Sequence, residues 1–162
     1  VKTLIIGIGN PLLGDDGIGV HIARRLSGLI EDENVDVVDT NMGGLNLLDF
    51  ILGYDKLIVI DAIMTGQDQV GEIYRLGPGE MGGPFYTAAS PHHFNLPATI
   101  ELGRRLFPSE MPKEVVVYAV GAREVAQISE EITDRVRKAI PGVTSLVLEE
   151  IKPRGKVTAR SG

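Results

Sequence analysis

Leu4-Ile5-Ile6-Gly7-Ile8-Gly9-Asn10-Pro11-Leu12-Leu13-Gly14-Asp15-Asp16-Gly17 is the stretch that decides the fold. The nearly continuous apolar run from Lys2 to Gly9 is that of a parallel strand covered on both faces. Ile18, Ile22, Leu26 and Leu29 then recur at helical spacing, which predicts an amphipathic helix over 18–29. Between them lies a glycine-rich crossover. Such a turn commonly holds an anion, because a helix N-terminus offers unbonded N–H groups and partial positive charge. Here two carboxylates, Asp15 and Asp16, occupy that place, so the turn suits a cation better than a phosphate.

Outward from this turn the order repeats. Val35 to Asp39 is a second strand, Leu45 to Leu52 a second helix opened by Gly43-Gly44, and Leu57 to Ile63 a third strand with one internal charge, Asp61. This β-α-β-α-β succession predicts a parallel α/β sheet. Val70 to Leu76 follows so soon that it reads as an antiparallel or edge strand. Residues 77–90, with four glycines and two prolines, form the longest irregular segment. A helix over Leu96–Leu106, a strand over Glu114–Gly121 and a helix over Ser129–Ile140 come next. Pro141-Gly142 then breaks the pattern before a last helix, Val143–Ile151. The expected architecture is a three-layer α/β/α sandwich with a mostly parallel central sheet and at least one antiparallel edge strand. One domain spans 1–152, and 153–162 is a polar, frayed tail.

Composition removes several functions. At 162 residues the chain supports one proper core. A net charge of -6 argues against nucleic-acid binding, and the two basic doublets, Arg24-Arg25 and Arg104-Arg105, read as solvated helix faces. With no cysteine, disulfides, thiolate zinc sites and cysteine nucleophiles are excluded. No apolar run reaches membrane-spanning length and no secretory leader is visible, so the expected location is the cytoplasm, away from the membrane.

Three residues carry the candidate chemistry. Asp16 follows the first strand, Asp61 lies near the end of the third, and His92 follows the irregular segment. Ligand sites in open parallel sheets form at the carboxyl ends of strands, so these three can converge. Two oxygens and one imidazole nitrogen suit a divalent ion such as Zn²⁺, Ni²⁺ or Mn²⁺. The plain alternatives are an aspartate helix cap for Asp15 or Asp16, loop N–H partners for Asp61, and a surface histidine for His92 or its neighbour His93. Asp15 is expected to cap the helix or support the site while Asp16 faces the cleft. Asp39, ending the second strand, lines the same cleft as Asp61 or bonds the turn after it. A ribose-binding role for Asp39 is rejected, because Leu12 stands where a dinucleotide turn needs its third glycine.

Together these motifs resemble the hydrogenase maturation endopeptidases, which trim the C-terminus of the [NiFe]-hydrogenase large subunit. Gly7-Ile8-Gly9-Asn10-Pro11-Leu12 with Asp15-Asp16-Gly17-Ile18-Gly19 is similar to that family's opening motif, Leu57 to Ala62 to its second, and Ser90-Pro91-His92 with Leu96 to its third. The resemblance runs from Lys2 to about Ile140. It implies a metal-binding set of Asp16, Asp61 and His92, and a nickel ion that belongs to the substrate, held mainly by the precursor's own cysteines; another divalent ion can take its place in vitro. The ion would act as a ruler that sets one peptide bond in the cleft. Water is the expected nucleophile, activated by the metal or by a carboxylate, Asp16 or Asp39, as general base; a metal-independent peptidase is the nearest rival. Two other readings compete: a nickel-delivery protein using the same ligands, and a peptidyl-tRNA hydrolase, whose opening is similar to Gly7–Pro11 but which needs a basic groove and a histidine that His21 does not match.

Overall fold

The computed structural model describes residues 1–77, 80, 96–123 and 128–153. Five strands form one sheet in the order β2-β1-β3-β5-β4: β1 (Thr3–Ile8), β2 (Val35–Thr40), β3 (Lys56–Met64), β4 (Ile73–Leu76) and β5 (Glu114–Ala122). β1 runs parallel to β2 and β3, β3 runs parallel to β5, and β4 closes the far edge antiparallel to β5. This is the mostly parallel sheet with an antiparallel edge strand that the sequence predicts.

Each face of the sheet buries a separate apolar cluster, which is why the central strands read as unbroken apolar runs. Ile5, Ile58, Ile60, Val116 and Val120 face α1 (Ile18–Leu29) and α5 (Ala139–Ile151), meeting Ile18, Ile22, Leu26, Val143 and Val147. Leu4, Ile6, Leu57, Val59 and Val117 face α2 (Leu48–Ile51) and α3 (Leu96–Leu106), meeting Ile51, Leu96 and Ile100. Burying each such side chain contributes about 1.5–3 kcal/mol against water. The layers are therefore helix, sheet, helix.

Three expected elements differ. The helix predicted over 45–52 is a 3-10 turn, Gly44–Leu47, followed by one α-turn, in which Leu47, Leu48 and Ile51 are the fully buried side chains. The helix predicted over 129–140 shrinks to α4 (Asp134–Arg137). Ser129 does not start it; its hydroxyl accepts the Glu131 N–H at 3.1 Å in a local turn. Pro141-Gly142 does not break the last helix either, since α5 begins at Ala139. Proline in the first turn loses only an N–H that has no partner within the helix.

Candidate functional site

The register places the site. β1 pairs with β3 only as far as Gly7↔Ile60, and beyond that β3 continues alone beside β5, with Asp61 opposite Ala119. Asp61 thus stands one residue past the last pair that β3 makes with β1. β1 ends at Ile8, and the chain turns over its own strand end into a 3-10 turn, Gly14–Gly17, which contacts β3 and leads into α1.

Two glycines make this close approach possible. A side chain at Gly9 would strike the Asp16 carbonyl, and one at Gly19 would strike the carbonyls of Ile8 and Ile60. Without side chains there, the turn lies directly on the strand ends and the first turn of α1 sits across β1 and β3. Asp16 closes the turn: its Oδ2 accepts the Asn10 N–H at 2.9 Å, while Asn10 Oδ1 accepts the Leu12 N–H at 3.0 Å. Asp61 is 3% exposed, and its Oδ1 accepts the Ala62 N–H at 2.8 Å. Two carboxylates therefore share the carboxyl end of the sheet beside the N-terminus of α1, whose partial positive charge offsets part of their repulsion.

Of the two roles expected of Asp15, capping the helix is the one it does not take. It caps neither the 3-10 turn nor α1. Its buried carboxylate instead accepts both the Thr133 N–H and the Thr133 Oγ1–H, each at 2.8 Å. The same segment is stitched to the turn a second time, by the Gly14 N–H to Ser129 O (2.6 Å) and the Ser129 N–H to Leu12 O (2.8 Å). Asp15 is a strut between the acidic turn and the approach to α4. No local pattern announces it, because its partner lies 118 residues away.

Asp39 is the last but one residue of β2, on the other side of β1 from Asp61. It does not bond the following turn; there the Thr40 hydroxyl accepts the Met42 N–H at 3.0 Å. Asp39 Oδ2 accepts a bond from Arg24 Nη2 at 3.3 Å, so Arg24, read from sequence as a solvated helix face, has an assigned partner. The pair lines a cleft of about 330 Å³ between α1 and the end of β2, with Pro11, Val20 and Met42 as its apolar walls. His21, one turn earlier on α1, buries Nε2 with no hydrogen-bond partner among the described residues. Burial, with the charges of Arg24 and Arg137 adding to it, holds that imidazole below its usual range.

His92 and His93 lie outside the described residues, and no group of three or more potential metal ligands stands together among the described ones. No helix among the described residues is long and apolar enough to cross a membrane.

Comparison with known proteins gives the family and the fold. The profile of the hydrogenase maturation protease family matches residues 20–150. The hydrogenase 2 maturation protease of Escherichia coli K12 is 31% identical over 121 residues, 74% of this chain and 73% of its own. The hydrogenase expression/formation protein HupD of Rhizobium leguminosarum is 28% identical over 98% of this chain and 79% of its own. Among solved structures, the hydrogenase maturating endopeptidase HybD from Escherichia coli superposes with a TM-score of 0.75 at 26% identity, covering 93% of this chain and 91% of that one. Neither a nickel-delivery protein nor a peptidyl-tRNA hydrolase accounts for these likenesses. On sequence, profile and fold together, this chain belongs to the hydrogenase maturation protease family.

Proposed function

We infer that this protease removes a C-terminal extension from the large-subunit precursor of a [NiFe]-hydrogenase, and that nickel already held by the precursor is what it recognises. The observation that carries the reading is Asp61: a carboxylate 3% exposed within an apolar strand, at the carboxyl end of the sheet and beside the turn that Asp16 closes. His92 supplies the third ligand. Leu96, four residues later, packs in the same apolar cluster as Val59 and Ile63, which flank Asp61 on its own face of β3, and this supports the assignment.

Two carboxylate oxygens and an imidazole nitrogen complete the coordination of an ion whose other ligands come from the precursor. Docking through the ion then fixes one peptide bond in the cleft, and a precursor without nickel is left uncut. Water attacks that bond. Of the two candidate bases, Asp16 belongs to the turn that contacts β3, whereas Asp39 is two strands from Asp61, about 10 Å across the sheet. The distance favours Asp16 or the ion itself as the activator and leaves Asp39 for another task. Intact-mass spectrometry of nickel-loaded and nickel-free precursor tests the reading. Only the loaded precursor should lose its C-terminal segment; equal cleavage of both would end the recognition model.

A further inference from the structure

The geometry points to the cleft between α1 and the end of β2 as a substrate subsite, in which Arg24 and Asp39 clamp the main chain of an extended stretch of the precursor while one of its apolar side chains fills the cleft. The inference rests on the protease reading above and adds which surface holds the polypeptide beside the reacting bond.

Continuity with the acidic turn comes first. Gly9 and Pro11 line the cleft and flank Asn10, whose N–H is held by Asp16, so the cleft and the Asp16 turn share one wall. The site near Asp61 lies about 10 Å away across two strands, roughly three residues of extended chain. A polypeptide crossing the carboxyl end of the sheet therefore reaches both.

The chemistry of the walls comes second. The contact from Arg24 to Asp39 uses a single donor of a guanidinium whose side chain is 60% exposed. The remaining donors of the fork suit carbonyl oxygens, and the Asp39 carboxylate has capacity for an incoming N–H. A donor and an acceptor side by side match a peptide group, whatever its side chain. Asp39 adds its own backbone. The Thr3 N–H to Asn34 O and Gly9 N–H to Thr40 O bonds set the ladder so that even-numbered residues of β2 face β1. The N–H and C=O of Asp39 thus point out from the sheet edge, where they add a donor and an acceptor beside the Arg24–Asp39 pair. Pro11, Val20 and Met42 then leave an apolar slot.

Steady-state cleavage of nickel-loaded precursor, paired with a binding titration of the same precursor, tests the proposal. Arg24→Ala should raise KM about tenfold, the loss expected for one charge-assisted hydrogen bond, with kcat changed less than about twofold. Arg24→Lys should recover part of that loss, and Met42→Glu, which sets a charge in the apolar slot, should raise KM similarly. The melting temperature of Arg24→Ala should stay close to the parent's, since an exposed ion pair contributes little stability. Unchanged KM and binding in both Arg24→Ala and Met42→Glu would overturn the subsite. A fall in kcat at constant KM would overturn it too, assigning Arg24 to the chemical step through Asp39. If the parent binds the precursor but does not cut it, the protease reading fails, and the titration still decides whether Arg24 and Met42 hold the polypeptide.

Discussion

Replacing Asp15 by alanine isolates the strut between the acidic turn and the segment before α4. The carboxylate is 5% exposed and takes two bonds from Thr133, both at 2.8 Å. A hydrogen bond to a charged group contributes about 1.5–3 kcal/mol. Thr133 itself is exposed, so water recovers part of what its N–H and hydroxyl lose. The expected cost of Asp15→Ala is therefore about 3 kcal/mol rather than the full sum. For a chain of this size that lowers the melting temperature by roughly 9 °C. Asp15→Asn keeps an acceptor for the N–H and a donor for the hydroxyl oxygen, and should cost about 1 kcal/mol. Thr133→Val removes only the hydroxyl bond, also about 1 kcal/mol, and in the double variant with Asp15→Ala that cost should disappear. Urea unfolding at constant m reads all four proteins. If Asp15→Ala unfolds within about 0.5 kcal/mol of the parent, or if the two losses simply add, the strut does not exist.

Two glycines on α1 make a matched pair: Gly19→Ala should cost about 3 kcal/mol because its new methyl meets the Ile8 and Ile60 carbonyls, whereas Gly28→Ala, in open space, should stabilise by about 0.5 kcal/mol. Equal effects in thermal unfolding would remove the close approach of α1 to the strand ends. At the opposite end of the sheet, burial alone would raise the pKa of Glu150, but bonds from Arg75, Tyr118 and Lys56 outweigh it and hold the carboxyl below its usual value. A depressed carboxyl stabilises the fold above its unfolded pKa near 4.5, and that contribution is lost as pH falls through the lower folded value. Unfolding midpoints measured down through this window should fall more steeply for the parent than for Glu150→Gln; parallel slopes would show that the network does not carry the acid sensitivity.

Much of this molecule is legible in the sequence because its strongest signals are periodic or local. Lys2 to Gly9 and Leu57 to Ile63 read as buried parallel strands because both faces of the sheet are covered, and α1 follows from four apolar residues at helical spacing. Asp61 stands out because a charge inside such a run requires a reason. What the sequence conceals depends on tertiary contacts. Asp15 looks like a helix cap until Thr133 is brought to it, and Arg24, on the solvated face the sequence predicts, gains a partner only when β2 delivers Asp39. Helix ends mislead in both directions: Pro141 resembles a breaker but lies in a first turn, and the helix expected from Ser129 starts only at Asp134. These outcomes turn on which neighbour arrives, and no window of sequence contains that neighbour.

The central claim is that Asp61, the buried carboxylate in the second half of β3, belongs to the cutting site. Intact-mass spectrometry of nickel-loaded precursor after incubation with the parent and with Asp61→Asn tests it most directly, with circular dichroism confirming that the variant folds. The parent should release a C-terminal fragment and Asp61→Asn should leave the precursor at full mass. A folded Asp61→Asn that shortens the precursor at the parent's rate would contradict the account.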